Sequence, residues 1–400
     1  MTTVLSEISV SVPPALAYRA FTNATALREW LCDVATVDPH PGGRVYLWWN
    51  GDFYSSGHYL ELEPDKRVKF RWFSNIDSAP TSVDVTCEAV SGGTLVRMAH
   101  TVPDDPAWKG IADGFKHHWD ISLPNLKSVL ETGIDLRIAN RPMLGIYPGD
   151  FTPEQAARLG VPVKEGQRLD AVVEGMGAAA AGLQQDDVIV AIDGKPVVSD
   201  FGSLRNAIAG KKGGDTVQVE FYRGPEKKTV AMQLSRRTML EVPFDSAELA
   251  KQTRAKLEPA LAELEKCLAG VSDAHAAARP APGEWCALDV LAHLLQGERS
   301  NQFFFSDVVT GYEHWADGWG GNLDAQTRAT VSAYSTVATM LAELRLSFTE
   351  TLALVEAFPP EFAANKGSFY RLGSQLLQSD AHILGHIPQV KAAIAAAQGK

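Results

Sequence analysis

Cysteine is scarce in this chain, and most of the usual catalytic motifs are missing. The 400 residues contain four cysteines, and none has the CxxC spacing of a zinc or redox motif: Cys32, Cys87, Cys267 and Cys286. Scattered thiols predict a reducing compartment rather than a disulfide framework. The chain also lacks the GxSxG, Walker and GxGxxG signatures, so the corresponding hydrolase and nucleotide sites are not expected.

Long apolar runs are absent as well. No stretch reaches the roughly 18 unbroken apolar residues that a membrane span requires. The segment from Met1 to Glu7 has neither the basic region nor the apolar run of a signal peptide. Together with the cysteine pattern, this predicts a cytoplasmic protein without a membrane span.

Basic residues are fewer than acidic residues in this chain. The net charge is −11, divided as −6 over residues 1–135, +2 over residues 136–240 and −7 over residues 241–400. Nucleic-acid binding depends on basic side chains that neutralise phosphates. No nucleic-acid partner is therefore expected.

Three segments with different hydrophobic patterns make up the chain. In residues 1–135 apolar and polar residues alternate as in β-strands, and a long helical pattern follows. Together these patterns predict an α+β domain. Residues 140–237 predict a mainly-β domain, with a hairpin signal at Asp193-Gly194. Residues 243–400 are helical throughout and predict an all-α four-helix bundle. The predicted fold class is therefore multidomain, with three modules in this order.

The first segment resembles the START-like (SRPBCC) superfamily, in the branch similar to the activator of the heat-shock-protein-90 ATPase. The resemblance rests on short motifs along the whole segment: Val12-Pro13-Pro14, Leu27-Arg28-Glu29-Trp30, Pro41-Gly42-Gly43 and Gly92-Gly93-Thr94. It implies a helix-grip fold with a cavity for an apolar small molecule between sheet and helix. The expected wall residues are Trp48, Trp72, Phe115, His118 and Trp119. The alternative is that these aromatic side chains only fill a core.

The middle segment is similar to a PDZ domain of the bacterial HtrA-protease type. The matching residues are Ala181-Gly182-Leu183, Asp187-Val188-Ile189 and Ile192-Asp193-Gly194. The resemblance implies that the loop Leu144-Gly145-Ile146 offers backbone N–H groups to a peptide C-terminus, which then adds to the neighbouring strand. The alternative is a spacer whose groove binds nothing.

Three histidines are the main chemical feature of the last segment. His382 and His386 are four residues apart, a spacing that places both on one face of a helix. His293 lies on another helical stretch, in Leu291-Ala292-His293-Leu294. Three neutral imidazoles with a vacant position form the ligand set of an exchangeable divalent metal. The competing interpretation is that each histidine is an ordinary core residue.

The same segment resembles the DinB family. The resemblance rests on Arg279 to Trp285, on Asp289 to Leu294 and on Ala381 to Gln389. It implies that His293, His382 and His386 hold a divalent metal, with Zn, Ni, Mn and Fe all open. Characterised members of the family include thiol transferases that use low-molecular-weight thiols and metal-dependent hydrolases.

Carboxylates near the histidines are the candidates for supporting roles. Glu298 is the predicted general base if the site is catalytic, with Asp380 as the other nearby carboxylate. Asp289 precedes His293 by four residues and is predicted to orient its imidazole. A loop with Trp315 and Trp319 is a further candidate for substrate contacts, although a solvated loop fits the same sequence.

Two functions follow from these patterns, and the family resemblance alone implies a third, a chaperone-associated role of the N-terminal domain. The first is a binding protein, an adaptor or sensor, because two of the three modules resemble binding folds and lack a catalytic constellation. The second is a metal-dependent thiol transferase or hydrolase acting through the bundle. The expected partners are an apolar small molecule and a peptide C-terminus, and a homodimer is compatible with the sequence.

Overall fold

The computed structural model describes residues 1–314 and 322–399. The chain forms two compact units, one of which is discontinuous. Met1–Asp135 and Leu240–Lys400 make up the first unit, and Leu136–Met239 makes up the second. The predicted middle domain, residues 140–237, lies within the second unit. Nothing in the sequence indicated that the first and last segments belong together.

An antiparallel seven-stranded sheet dominates residues 1–135. Its strand order is β1-β7-β6-β5-β4-β3-β2, so only β1 and β7 are neighbours that are distant in sequence. Buried residues alternate along the strands, as at Val83, Val85 and Cys87, because successive side chains point to opposite faces. The strands are β1 (Thr2–Val10), β2 (Val34–Val37), β3 (Arg44–Trp49), β4 (Phe53–Glu63), β5 (Arg67–Ser74), β6 (Thr81–Val90) and β7 (Gly93–Val102).

Three helices cover the inner face of this sheet. They are α1 (Pro14–Thr22), α2 (Ala24–Trp30) and α3 (Lys109–Thr132), and a short 3₁₀ turn, Pro106–Trp108, precedes α3. The core between helices and sheet contains three almost fully buried tryptophans, Trp30, Trp72 and Trp119. This arrangement confirms the α+β prediction.

The second unit contains a β-rich domain. Its sheet has the order β13-β12-β10-β9-β8, and β11 pairs with β10. The core is built from alternate strand residues such as Val217, Val219 and Phe221. The elements are α4 (Leu136–Ala139), β8 (Ile146–Gly149), α5 (Pro153–Leu159), β9 (Gln167–Val172), α6 (Gly177–Ala180), β10 (Val188–Ile192), β11 (Lys195–Pro196), α7 (Phe201–Ala207), β12 (Thr216–Arg223) and β13 (Glu226–Gln233).

Residues 240–399 are helical wherever the structure describes regular elements. The helices are α8 (Ser246–Leu268), α9 (Asp273–Ala277), α10 (Ala287–Thr310), α11 (Leu323–Ala333), α12 (Val337–Glu356), α13 (Lys366–Leu376) and α14 (Ser379–Ala397), with a 3₁₀ turn at Pro360–Ala364. Four of them, α8, α10, α12 and α14, pack around one apolar core. α11 and α12 are separate helices, because a capping box at Thr336 starts a new helix there.

A buried polar network joins the first 135 residues to the bundle. The Ser368 hydroxyl donates to Oε1 of Glu29 at 2.6 Å, and Nη1 of Arg371 lies 3.4 Å from the same oxygen. Glu313 accepts from Arg371 at 2.9 Å and pairs with Arg28 at 2.6 Å. Burial raises the pKa of Glu29, although Arg371 and Ser368 lower it. Arg371 keeps its charge because Glu313 binds it through both oxygens.

Close backbone packing accompanies this network. A Cβ atom added to Gly367 would lie 2.5 Å from Oε2 of Glu29 and 2.8 Å from Cγ1 of Val129. The absence of a side chain at this position lets α13 approach α2 and α3. None of the helices in residues 1–314 and 322–399 combines the length and the apolarity that crossing a membrane requires.

Candidate metal centre and binding sites

The three predicted histidines meet on the surface of the bundle. His293 is on α10, and His382 and His386 are one turn apart on α14. The Nε2 atoms of His293 and His382 are 3.2 Å apart, and the three ring centroids lie 4.9–5.1 Å from one another. One nitrogen from each residue lies within 4.8 Å of the others. The bundle thus brings together residues that are 89 positions apart in sequence.

The electrostatics of this cluster favour neutral imidazoles. Burial, together with the neighbouring His386 and His293, lowers the pKa of His382 to about 4. Burial and His386 also lower the pKa of His293. A metal binds the neutral form of imidazole, so His293 and His382 are already in the ligand state at neutral pH.

Hydrogen bonds orient one of the three rings. Nδ1 of His386 donates to Oε1 of Gln389 at 2.9 Å, which leaves Nε2 as the ring nitrogen that can bind a metal. Asp289, the predicted orienting residue, has another role. Its carboxylate accepts from the backbone N–H of Cys286 at 3.1 Å and pairs with Arg279 at 2.9 Å. The prediction for Asp289 is therefore wrong, because this residue caps the start of α10.

The spacing of one donor pair, on His293 and His382, fits a divalent metal. Zinc–nitrogen bonds of about 2.0–2.1 Å at tetrahedral angles place two ligand nitrogens about 3.3 Å apart. The observed 3.2 Å between the Nε2 atoms of His293 and His382 agrees with this value. Three nitrogen donors with one side open to solvent match the ligand set of an exchangeable site.

A cavity of about 670 Å³ lies beside this cluster, inside the bundle. Its lining includes His382 together with Glu298, Asn301, Thr351 and Arg371. Glu298 is 5% exposed, and its Oε1 accepts a short hydrogen bond from the Thr351 hydroxyl. Burial outweighs the hydrogen bonds from Thr351 and Asn301, which lower the pKa of Glu298, so the net effect raises that pKa to about 7.

Glu298 is thus buried next to the histidine cluster rather than part of it. A separation of five residues places it about 140° around α10 from His293. Sequence spacing alone could not show that it faces a cavity. Its role as a general base stays a prediction.

Four of the five aromatic residues predicted to line the START-like cavity lie together inside the first domain. The ring of Trp72 lies 6.1 Å from that of Phe115 and 5.8 Å from that of Trp119, and the ring of His118 lies 4.8 Å from that of Trp119. Trp48, the fifth, is on the other face of β3, because Val45 and Leu47 are the buried residues of that strand. The prediction for Trp48 is therefore wrong.

Trp49 occupies the position expected for Trp48. Its ring lies 5.8 Å from Trp72 and 6.2 Å from His118. A shift of one residue along a strand exchanges the two faces, and two adjacent tryptophans gave no sign of which one points inward.

The polar groups of this aromatic cluster differ in their partners. His100 is fully satisfied, because Nδ1 accepts from Nε1 of Trp119 at 3.1 Å and Nε2 donates to the Thr81 hydroxyl at 2.7 Å. Burial lowers the pKa of His100 to about 3 and that of His118 to about 4, so both are neutral at pH 7. Nε2 of His118 and Nε1 of Trp72 have no partner among the described residues.

The Leu144-Gly145-Ile146 loop has the geometry expected of a carboxylate-binding loop. The carbonyl groups of Leu144 and Gly145 accept from Ala178 and Val173 at 3.0 and 2.8 Å, so they point into the domain. The amides of Leu144 and Gly145 have no acceptor among the described residues. Gly145 has φ +79°, and a Cβ atom there would lie 2.4 Å from Cβ of Met176.

The strand after this loop is open on one side. β8 begins at Ile146 and pairs with β9, and it is the last strand in the order of its sheet. Such an edge is where a peptide adds by β-augmentation. Trp315 and Trp319, the predicted loop contacts, lie outside the described residues.

Comparison with known proteins agrees with the first two domains. Residues 11–131 match the family model for "Activator of Hsp90 ATPase homolog 1-like protein", and residues 140–234 match the PDZ domain model. A stretch of 128 residues is 30% identical to the periplasmic pH-dependent serine endoprotease DegQ of Escherichia coli. That match covers 32% of this chain and 26% of DegQ, so the chain spans about a quarter of its curated relative.

Solved structures resemble a third of the chain. The Aha1 dimer from Colwellia psychrerythraea is 22% identical over 33% of this chain and 97% of its own, with a TM-score of 0.30. An HSP90 activator from Plasmodium falciparum is 22% identical over 32% of this chain and 96% of its own, with a TM-score of 0.29. The two family matches, together with the fold, show that the chain contains an activator of Hsp90 ATPase homolog 1-like domain of START-like fold, followed by a PDZ domain and an all-helical C-terminal region.

Proposed function

We propose that this protein is a cytoplasmic adaptor or sensor that binds a peptide C-terminus, an apolar small molecule and a divalent metal. The observation that carries the proposal is the PDZ domain's open edge strand beside a loop with two unused amides. Peptide recognition by strand addition needs both features. The four free cysteines are consistent with a reducing compartment.

Peptide binding is tested with a pool of peptides that end in apolar residues. Each peptide is made with a free C-terminal carboxylate and as the C-terminal amide, and binding to the full chain is followed by fluorescence anisotropy. Binding of the carboxylate forms, weakened at least about tenfold by amidation, is expected because the loop amides donate to the carboxylate. Equal binding of both forms, or binding of neither, would contradict the proposal.

The metal centre is the second part of the proposal. It is supported by the convergence of His293, His382 and His386, by the neutral state of the first two and by the orientation of His386 through Gln389. The DinB resemblance of residues 243–400 points to the same three residues. Zn, Ni, Mn and Fe are all candidates for the bound ion.

Metal binding is tested by titrating chelator-treated protein with each of the four ions and measuring metal content after dialysis. We expect one ion per chain in the wild type and loss of that ion in His382→Ala. Loss of an outer hydrogen-bond partner costs about 10–100-fold in metal affinity, so loss of a ligand costs more. His275→Ala, at an exposed position of the same bundle, is the matched control. Full metal content in His382→Ala would show that the ligand assignment is wrong.

A second candidate function is a metal-dependent thiol transferase or hydrolase. The observation that favours it is the cavity that reaches His382 and contains the buried carboxyl of Glu298. A divalent ion held by the histidines would supply Lewis acidity for a bound thiol or water. Glu298 would hold or release a proton at its carboxyl oxygen within the same cavity.

Activity is tested with a low-molecular-weight thiol and a small electrophilic substrate. Turnover by the metal-loaded wild type, abolished in His382→Ala and retained in His275→Ala, would establish the enzyme and exclude a purely adaptor role. Stoichiometric metal without turnover would support the adaptor.

A further inference from the structure

Glu298 differs from the other buried acids of this protein. Four carboxylate side chains are buried among the described residues, and three of them pair with an arginine at 2.8–3.4 Å. Glu298 accepts from a neutral partner, Thr351, and no basic side chain of the described residues forms an ion pair with it. The pairs are Glu29 with Arg371, Asp187 with Arg223, and Asp289 with Arg279.

A buried carboxylate without a cation is costly unless something else supplies the positive charge or the proton. The one arginine in the cavity wall, Arg371, is already held by Glu313 and Glu29 at 2.9–3.4 Å. Arg371 therefore does not serve as the counter-ion of Glu298. The missing counter-charge is on the cavity side, where the wall leaves room for a ligand.

The cavity has the size and the character of a small-molecule site. Its volume of about 670 Å³ falls within the roughly 300–1,000 Å³ of typical ligand pockets. Apolar side chains, including Leu294, Phe305 and Phe348, share the wall with polar ones such as Ser374 and Gln378. Such a site suits a molecule with an apolar body and one charged end.

We propose that this cavity binds a small apolar amine whose protonated nitrogen donates to Glu298. Thr351 and Asn301 hold the carboxylate in place from the protein side, and the apolar wall accepts the hydrocarbon part of the ligand. The inference goes beyond the metal centre and does not require it. A protonated amine supplies both the positive charge and the hydrogen-bond donor that the cavity lacks.

The test uses the full chain, stripped of metal with a chelator, at pH 8, where a primary amine is protonated. Isothermal titration calorimetry compares n-pentylamine with 1-pentanol, which has the same shape and no charge. We expect the amine to bind roughly 10- to 100-fold more tightly than the alcohol, as a hydrogen bond to a charged group implies.

Two variants separate the carboxylate from the cavity. Glu298→Gln is expected to lose the preference for the amine, and Glu350→Gln, at an exposed position of the same bundle, is expected to keep it. Ala381→Phe enlarges an exposed residue of the cavity wall and is expected to weaken both probes, with little effect on folding.

The outcomes distinguish this inference from the metal proposal. Amine binding that is unchanged in Glu298→Gln and Ala381→Phe, or no preference for the amine in the wild type, would overturn it. Because metal-free protein is used, a failed metal titration leaves the result intact. In the same way, failed amine binding leaves the metal centre untouched.

Discussion

Glu298→Gln should change how the stability of the protein depends on pH. The pKa of Glu298 rises from 4.5 to about 7 in the folded protein because the side chain is buried. The folded state therefore binds this proton more tightly than the unfolded state does. The contribution of Glu298 is most favourable below pH 4.5 and is lost as the pH rises through 7. This is the reverse of the behaviour of a salt-bridged carboxylate.

The expected size follows from the two pKa values. Between pH 5 and pH 8 the shift removes about 2.5 kcal/mol from the free energy of unfolding of the wild type. Glutamine carries no titrating proton, so the variant does not lose this amount. At roughly 2–4 °C per kcal/mol, the melting temperature of Glu298→Gln relative to the wild type should rise by about 5–10 °C between these pH values.

Differential scanning calorimetry of chelator-treated protein at pH 5, 6, 7 and 8 measures this difference. Any loss of packing in the variant is the same at every pH and cancels. Glu350→Gln is the control and should show the wild-type trend. If Glu298→Gln followed the wild type within about 1 °C, the carboxyl would have an ordinary pKa and the argument from burial would be refuted.

Three substitutions test the packing that supports the sites. In urea unfolding, Gly145→Ala should destabilise the PDZ domain by about 2–4 kcal/mol, because the added Cβ clashes with Met176 and the left-handed backbone is strained. Gly175→Ala is the control: its φ is +78° but its surroundings are open, so it should cost only about 1–2 kcal/mol. Gly367→Ala should destabilise the discontinuous unit by about 1–3 kcal/mol, because the added Cβ clashes with Glu29 and Val129. Gly114→Ala is the control: the position on α3 is open, so alanine should stabilise the helix by up to about 1 kcal/mol. Arg371→Met should cost about 3–5 kcal/mol because it leaves a buried carboxylate unpaired, and a loss below 1 kcal/mol by calorimetry would contradict the proposed network.

The sequence predicted the features that depend on local periodicity and motif spacing. Alternation and helical patterns were sufficient for the α+β domain, the β-rich domain and the helical region. The spacing of His382 and His386 on one helix, with the DinB resemblance for His293, was sufficient to predict their meeting. Trp48 was misassigned because two neighbouring tryptophans differ only by register, which strand pairing decides.

Contacts between distant segments could not be predicted from the sequence. Asp289 was expected beside His293 because the two share a helix face, but Arg279 competes for its carboxylate from the preceding loop. Glu298 showed no signal of burial, since its environment is formed by α12 and by the helices around the cavity. Gln389 could have been found, because it lies three residues after His386 on the same helix.

The contact between Glu29 and Arg371 also has a consequence for the order of events during synthesis. The two residues are 342 positions apart, with the whole PDZ domain between them. At about 5–20 residues per second, a ribosome needs roughly 17–70 s to pass from one to the other. For much of that time the first 135 residues are already synthesised, and the face that contains Glu29 still lacks its partners from the bundle. The discontinuous unit can close only after Arg371 has been synthesised, so a chain that stops before Arg371 leaves this face uncovered.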